Sequence, residues 1–201
     1  MNSDQELVLQ YLDGDIQAFN RLVWRWEQPI LAFVMRMIGD QDSAQEITQK
    51  AFIKAYKNLK TLKDPAKFKT WLYQIAANLC RDELRRRKNL RHTSIDQAHA
   101  ATHEGARTPD YMISNRETSP EYQWSQTEAQ TIIRHALEKI PEEQRVVIIM
   151  KEYQGLKFKE IAEIMGQSIN TIKSRMYYGL NALRKIFEQW EINEEAFDYE
   201  L

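Results

Sequence analysis

Residues 157–187 read KFKEIAEIMGQSINTIKSRMYYGLNALRKIF, two amphipathic helical stretches joined at Gly166. Ile161, Ala162, Ile164 and Met165 give the first stretch an apolar side, and Gly166 ends it, glycine entering the left-handed region without steric cost. Ser168 stands where a hydroxyl accepts from the unpaired backbone N–H groups that open a helix. In the second stretch Ile169, Ile172, Met176, Leu180, Leu183 and Phe187 recur every three or four residues, a stripe committed to a core. Asn170, Thr171, Ser174, Tyr178 and Asn181 are left for solvent, flanked by Lys173 and Arg175, with Arg184 and Lys185 further on. No acidic residue occurs between Gly166 and Phe187. The pattern is that of a helix-turn-helix, and a helix of this polarity suits the DNA major groove. There Lys and Arg meet guanine acceptors or phosphates, while Asn or Thr reach other base edges.

The remaining periodic segments also read as helix, with no convincing strand alternation, so the fold class is all-α. Leu7, Val8, Tyr11 and Leu12 mark a short first helix, and Asp13–Gly14–Asp15 a turn and cap. Phe19, Leu22, Val23, Trp26, Ile30, Phe33, Val34 and Met37 mark a long second helix that ends at Gly39 and Asp40. Ser43 and Glu46 have capping-box spacing ahead of Ile47, Ala51, Phe52, Ala55 and Leu59. After the loop LKDPAKF, a helix with Phe68, Trp71, Leu72, Ile75, Ala76 and Leu79 on one side gives way to the charged run RDELRRRKNLR. Val146–Met150 is an apolar run that periodicity alone does not classify. The expected organisation is two small helical domains, 1–91 and 123–187, a flexible polar linker over 92–122 containing Pro109 and Pro120, and an acidic tail over 188–201. The second domain restarts near Gln126 with Ile132, Ile133, Ala136, Leu137 and Ile140, and Pro141 opens its next helix.

At 201 residues, with 43% hydrophobic and 28% charged side chains, the chain has the composition of a soluble globular protein. The net charge of −1 hides a segregation: residues 1–90 hold 15 basic and 11 acidic side chains, whereas residues 188–201 hold none and 6. Local patches decide which polymer is attracted, because salt screens beyond about 10 Å. The single cysteine, Cys80, lies among apolar residues and reads as a buried thiol. The first residues lack the basic start and apolar core of a signal peptide, and no apolar run approaches a bilayer span, so a cytoplasmic protein without direct membrane insertion is expected.

Taken in order, YLDGDIQAFNRLV, DSAQEITQKAFIKAY and FKTWLYQIAANLCRDELRRRK, then LEKIPEEQRVVIIMKEYQGLKFKEIAEIMGQSINTIKSRMYYGLNALRK, resemble a bacterial group IV (extracytoplasmic-function) RNA polymerase sigma factor. The resemblance implies a sigma region 2-like helical bundle followed by a sigma region 4-like helix-turn-helix domain. It implies that the first domain binds the clamp helices of the largest subunit of core RNA polymerase through the helix around Asp42 to Tyr56, with Asp42, Gln45, Glu46, Gln49 and Lys50 as contacts. It assigns the minus-ten promoter element to the loop from Leu62 to Phe68 and the helix from Thr70 to Arg87. Lys63, Lys67, Lys69, Arg81, Arg85 and Arg86, with Arg87 and Lys88, are there for the strand phosphates, and Asn78 matches a base-reading position. Tyr73 and Gln74 lie off the apolar stripe and are candidate contacts, whereas Trp71 falls on it. For the minus-thirty-five element the matching positions are Lys173, Arg175 and Tyr178, the last a departure, since close relatives often carry Arg there. Lys157, Lys159, Arg184 and Lys185 would position the helix on phosphates. Promoter DNA, core polymerase and an anti-sigma factor are the partners implied.

A stand-alone helix-turn-helix regulator would account for the second domain only. An enzyme is disfavoured: three of the four histidines, His92, His99 and His103, fall in the linker, His135 stands apart, and there is no metal spacing or Gly-rich phosphate loop. No cofactor is expected.

Overall fold

The computed structural model describes residues 2–98 and 126–192, with side chains described over 2–90 and 129–192. Most of the segment expected to be a linker, with His99 and His103, lies outside the described residues, as does the tail beyond Ile192. All regular structure among them is helical: α1 Asp4–Leu12, α2 Ile16–Ile38, α3 Gln41–Asn58 and α4 Phe68–Ala98, then α5 Gln126–Lys139, α6 Glu142–Ile148, α7 Phe158–Met165 and α8 Ile169–Gln189. None of these helices is long and apolar enough to cross a membrane.

The first body wraps α1, α3 and α4 around α2. Leu22, Ile30, Phe33 and Val34 of α2 meet Ala51 and Ala55 of α3 and Leu72 and Ala76 of α4, all fully buried. Asp4 ties α1 down, accepting from Arg25 at 2.5 Å and from the Trp26 indole at 3.1 Å. Tyr11, Phe19 and Tyr56 close the far end as an aromatic triangle, with ring centroids 5.2 to 5.8 Å apart. Two expectations are corrected here. The cap of α3 is Asp40 and not Ser43, whose own backbone N–H donates to the Asp40 carboxylate. The helix α4 does not end in its charged run but continues to Ala98, and within that run Arg85, Arg86 and Arg87 pair with Asp82 and Glu83 three and four residues away.

In the second body the apolar run Val146–Met150 is buried on every side and is helical, passing from α6 into a π-helical turn over Ile149–Tyr153. Pro141 stands at the N-cap, one residue before the position expected, and its carbonyl accepts from Gln144 and Arg145. Gly166 sits at φ 62° and turns the chain from α7 to α8, and Ser168 Oγ accepts from the Thr171 N–H at 3.0 Å, as the sequence indicates. Ile172, Met176 and Leu183 enter the core, but Ile169 and Leu180 are 41% and 47% exposed. Gly179 takes the place that the stripe gave to Leu180. A Cβ there would lie 2.8 Å from Ile148 Cδ1, so the absence of a side chain lets α8 approach α6 closely.

Candidate nucleic-acid interface

On α8, Asn170, Lys173, Ser174, Tyr178, Arg184 and Lys185 are exposed, a polar and basic face standing clear of the body. Thr171 is half-buried, its hydroxyl 2.9 Å from that of Ser168, so both are engaged in holding the start of the helix. Arg175 departs from the sequence expectation: its guanidinium turns back to Glu143 of α6 at 2.5 Å, and only 20% of its side chain is exposed. Tyr177, not singled out by the sequence, is 64% exposed and stacks edge-on against Tyr178 at 5.6 Å. Its place three and four residues after Ser174 and Lys173 is the signal that would have found it.

The second surface lies at the start of α4. Leu62, Lys63, Asp64, Lys67, Thr70, Trp71 and Gln74 line a pocket of about 360 Å³, whose far wall includes Glu163 of α7. Asp64 holds the loop by accepting from Ala66 N–H at 3.1 Å, which positions Lys63 and Lys67 at the pocket edge. Gln74 and Asn78, one turn apart, are both exposed on α4. The charged lining is balanced, Lys63 and Lys67 against Asp64 and Glu163, and Lys67 is paired with Glu163.

Tyr73 is the principal correction. It is 1% exposed, its ring meets Phe33 and Trp26 edge-on at 5.5 and 6.1 Å, and its hydroxyl donates to Gln154 at 2.7 Å. The position lies off the helix stripe yet is buried, because its ring packs on α2 of the same body while Gln154 of the other body covers its hydroxyl. Burial raises the phenol well above its ordinary value, so it stays protonated.

Further along α4, Arg81, Arg85 and Arg86 are exposed. Arg87 instead ties α4 to the α2–α3 corner, donating to Ser43 at 2.7 Å and approaching Asp40 at 3.3 Å. Glu83 accepts from Arg86 and Arg87 at 2.8 Å, and its carboxyl is held down from 4.5 to about 2, chiefly by the Arg86 bond. A depressed folded-state value stabilises fully above the unfolded value, and the benefit is lost as pH falls toward 2. Glu83→Gln is therefore expected to lower the urea midpoint at neutral pH, with the gap to the parent closing in acid; a gap that persists at about pH 2 would contradict this pairing.

The third surface is the exposed edge of α3. Asp42, Gln45, Glu46, Gln49 and Lys50 all face solvent, with Lys50 and Glu46 paired at 2.6 Å. Ile53 and Tyr56 extend the same edge at 47% and 46% exposure, giving it an apolar centre that the sequence reading did not isolate.

The Sigma-70 region 2 family matches residues 22–90, and Sigma-70 region 4 matches residues 130–183. Over 186 residues the chain is 31% identical to the RNA polymerase sigma-H factor of Pseudomonas aeruginosa, covering 92% of this chain and 94% of that protein. It is 34% identical over 178 residues to the ECF RNA polymerase sigma factor SigW of Bacillus subtilis, covering 89% and 93%. The chain belongs to the extracytoplasmic-function sigma factors. The ECF sigma-E factor of Escherichia coli is 32% identical over 182 residues, 90% of this chain and 92% of that one.

Two solved structures share the fold of this sigma factor. CnrH, in complex with the cytosolic domain of CnrY, superposes with a TM-score of 0.65 at 22% identity over 94% of this chain and 99% of that one. RpoE of Bartonella quintana, in complex with the anti-sigma factor NepR, gives 0.61 at 21% identity over 86% and 98%. Membership displaces the stand-alone regulator, which left the first body without a role. The face of α8 from Asn170 to Tyr178 lies within the region 4 match, and the α3 edge and the pocket, apart from Glu163, lie within the region 2 match.

Proposed function

We propose that this sigma factor docks on the clamp helices of core RNA polymerase through the α3 edge, with Glu46, Gln49 and Ile53 at its centre. In the same assembly it reads the minus-thirty-five element with α8 and opens the minus-ten element at the α4 pocket. The observation that carries the reading is the pocket itself. Lys63 and Lys67 stand at its rim, Trp71 and Gln74 line it, and Asn78 is exposed one turn beyond Gln74. Cations beside a cavity suit a strand held with its bases unstacked, and a module that binds closed duplex needs the cations but not the cavity. The protein acts in the cytoplasm, as a specificity subunit and not as an enzyme. An anti-sigma factor controls it, a reading favoured by the partners present in the solved complexes of CnrH and RpoE.

The test is initiation by core polymerase supplied with this protein on genomic DNA, followed by single-base variants of the promoters found. Asn78→Ala is expected to level the rates among minus-ten variants while leaving core binding intact. Transcription unchanged by adding the protein would overturn the function, and equal discrimination by Asn78→Ala and the parent would overturn the assignment of Asn78.

A further inference from the structure

A cavity of about 560 Å³ opens between α2, α5 and the π-helical turn, sharing no residue with the minus-ten pocket or the α8 face. Ala32, Met35 and Ile133 give it an apolar lining, to which Tyr153 adds an aromatic ring and Arg36 and Arg134 two guanidinium groups. No carboxylate lines it, and Glu152, next to Tyr153 in the chain, faces solvent.

The two arginines differ from others of like burial. Arg25, Arg87 and Arg175 are also half-buried, and each is paired with a carboxylate. Neither Arg36 nor Arg134 forms an ion pair among the described residues. Arg36 is nonetheless held in place: its Nη1 donates to the Ala32 carbonyl at 3.0 Å, and its guanidinium lies 4.3 Å from the Tyr153 ring centroid. The other edge of its donor fork is left unspent.

Partly desolvated cations without a partner favour an anion, and guanidinium groups favour an oxyanion that accepts two bonds at once. The apolar lining and the ring favour a planar group beside that anion. The volume falls within the roughly 300–1,000 Å³ of small-molecule sites. We propose that this cavity binds a nucleotide, its phosphates on Arg36 and Arg134 and its base against Tyr153 and Met35. Such a ligand touches α2 and α5 at once and favours the arrangement in which they stand side by side. The site makes no use of promoter or polymerase contacts, so it stands or falls independently of the function proposed above.

Titration calorimetry of the full-length chain with GDP, ADP, pyrophosphate and guanosine tests this. At least one of the two diphosphates is expected to bind more tightly than pyrophosphate, and guanosine is expected not to bind. Arg36→Gln and Arg134→Gln are each expected to weaken that binding between about tenfold and 150-fold. Both variants are expected to melt at the parental temperature, since neither side chain has an ion pair to lose; if Arg36→Gln melts early, Arg134→Gln and the charge-keeping Arg36→Lys carry the comparison. No heat from either diphosphate at millimolar concentration would overturn the site, as would binding that survives both substitutions to Gln. Pyrophosphate binding as tightly as the diphosphates would overturn the assignment to a nucleotide.

Discussion

Tyr73→Ala is expected to lower the free energy of unfolding by about 3–5 kcal/mol and the melting temperature by on the order of 10 °C. Phe33 and Trp26 would lose their edge-on partner, and Gln154 would lose the hydroxyl that donates to it. Tyr73→Phe keeps the ring and removes only the hydrogen bond to Gln154, so about 1 kcal/mol is the expected loss. Thermal and urea unfolding of the two variants separates ring from hydroxyl. Holoenzyme carrying Tyr73→Phe is expected to open promoters at the parental rate. Impaired opening with parental stability would return Tyr73 to the promoter strand, where its place off the stripe first suggested it belonged.

The second large effect concerns α8. Lys173 is exposed, so its truncation removes a contact without disturbing the fold, and Lys173→Ala is expected to weaken upstream-element recognition by about 1–3 kcal/mol. In initiation assays this is a loss between about fivefold and 150-fold on promoters that depend on that element. Arg175→Ala should cost less, because its guanidinium is spent on Glu143. Comparing the two on promoters with intact and scrambled upstream elements decides the matter. A larger loss from Arg175→Ala would mean that the helix presents its other flank to the groove.

The helix-turn-helix was legible in the sequence because its determinants are local: Gly166 for the left-handed turn, Ser168 for the cap, and an uninterrupted lack of acids on α8. The α3 face was legible for the same reason, as polar residues on a helix with one apolar side. Contacts between bodies were not. The Tyr73 hydroxyl is met by a residue 81 positions away, and the charges of Lys67 and Lys69 by acids 96 and 91 positions away. Helical periodicity describes one packed face and is blind to a second. The stripe on α8 failed at Leu180 because Gly179 allows a closer approach than a side chain would, turning the neighbouring leucine away from the core. Arg87 read as a phosphate ligand because nothing nearby in sequence reveals Ser43 and the Ile38 carbonyl as its partners.

The π-helical turn over Ile149–Tyr153 carries one residue more than an α-helical turn would, with Gln154 N–H donating to the Ile149 carbonyl at 3.2 Å. Each residue of helix advances the chain by roughly 100° about its axis. That surplus residue therefore sets the phase of everything downstream: removing it would keep the composition of the reading head but swing its bearing by about a quarter turn.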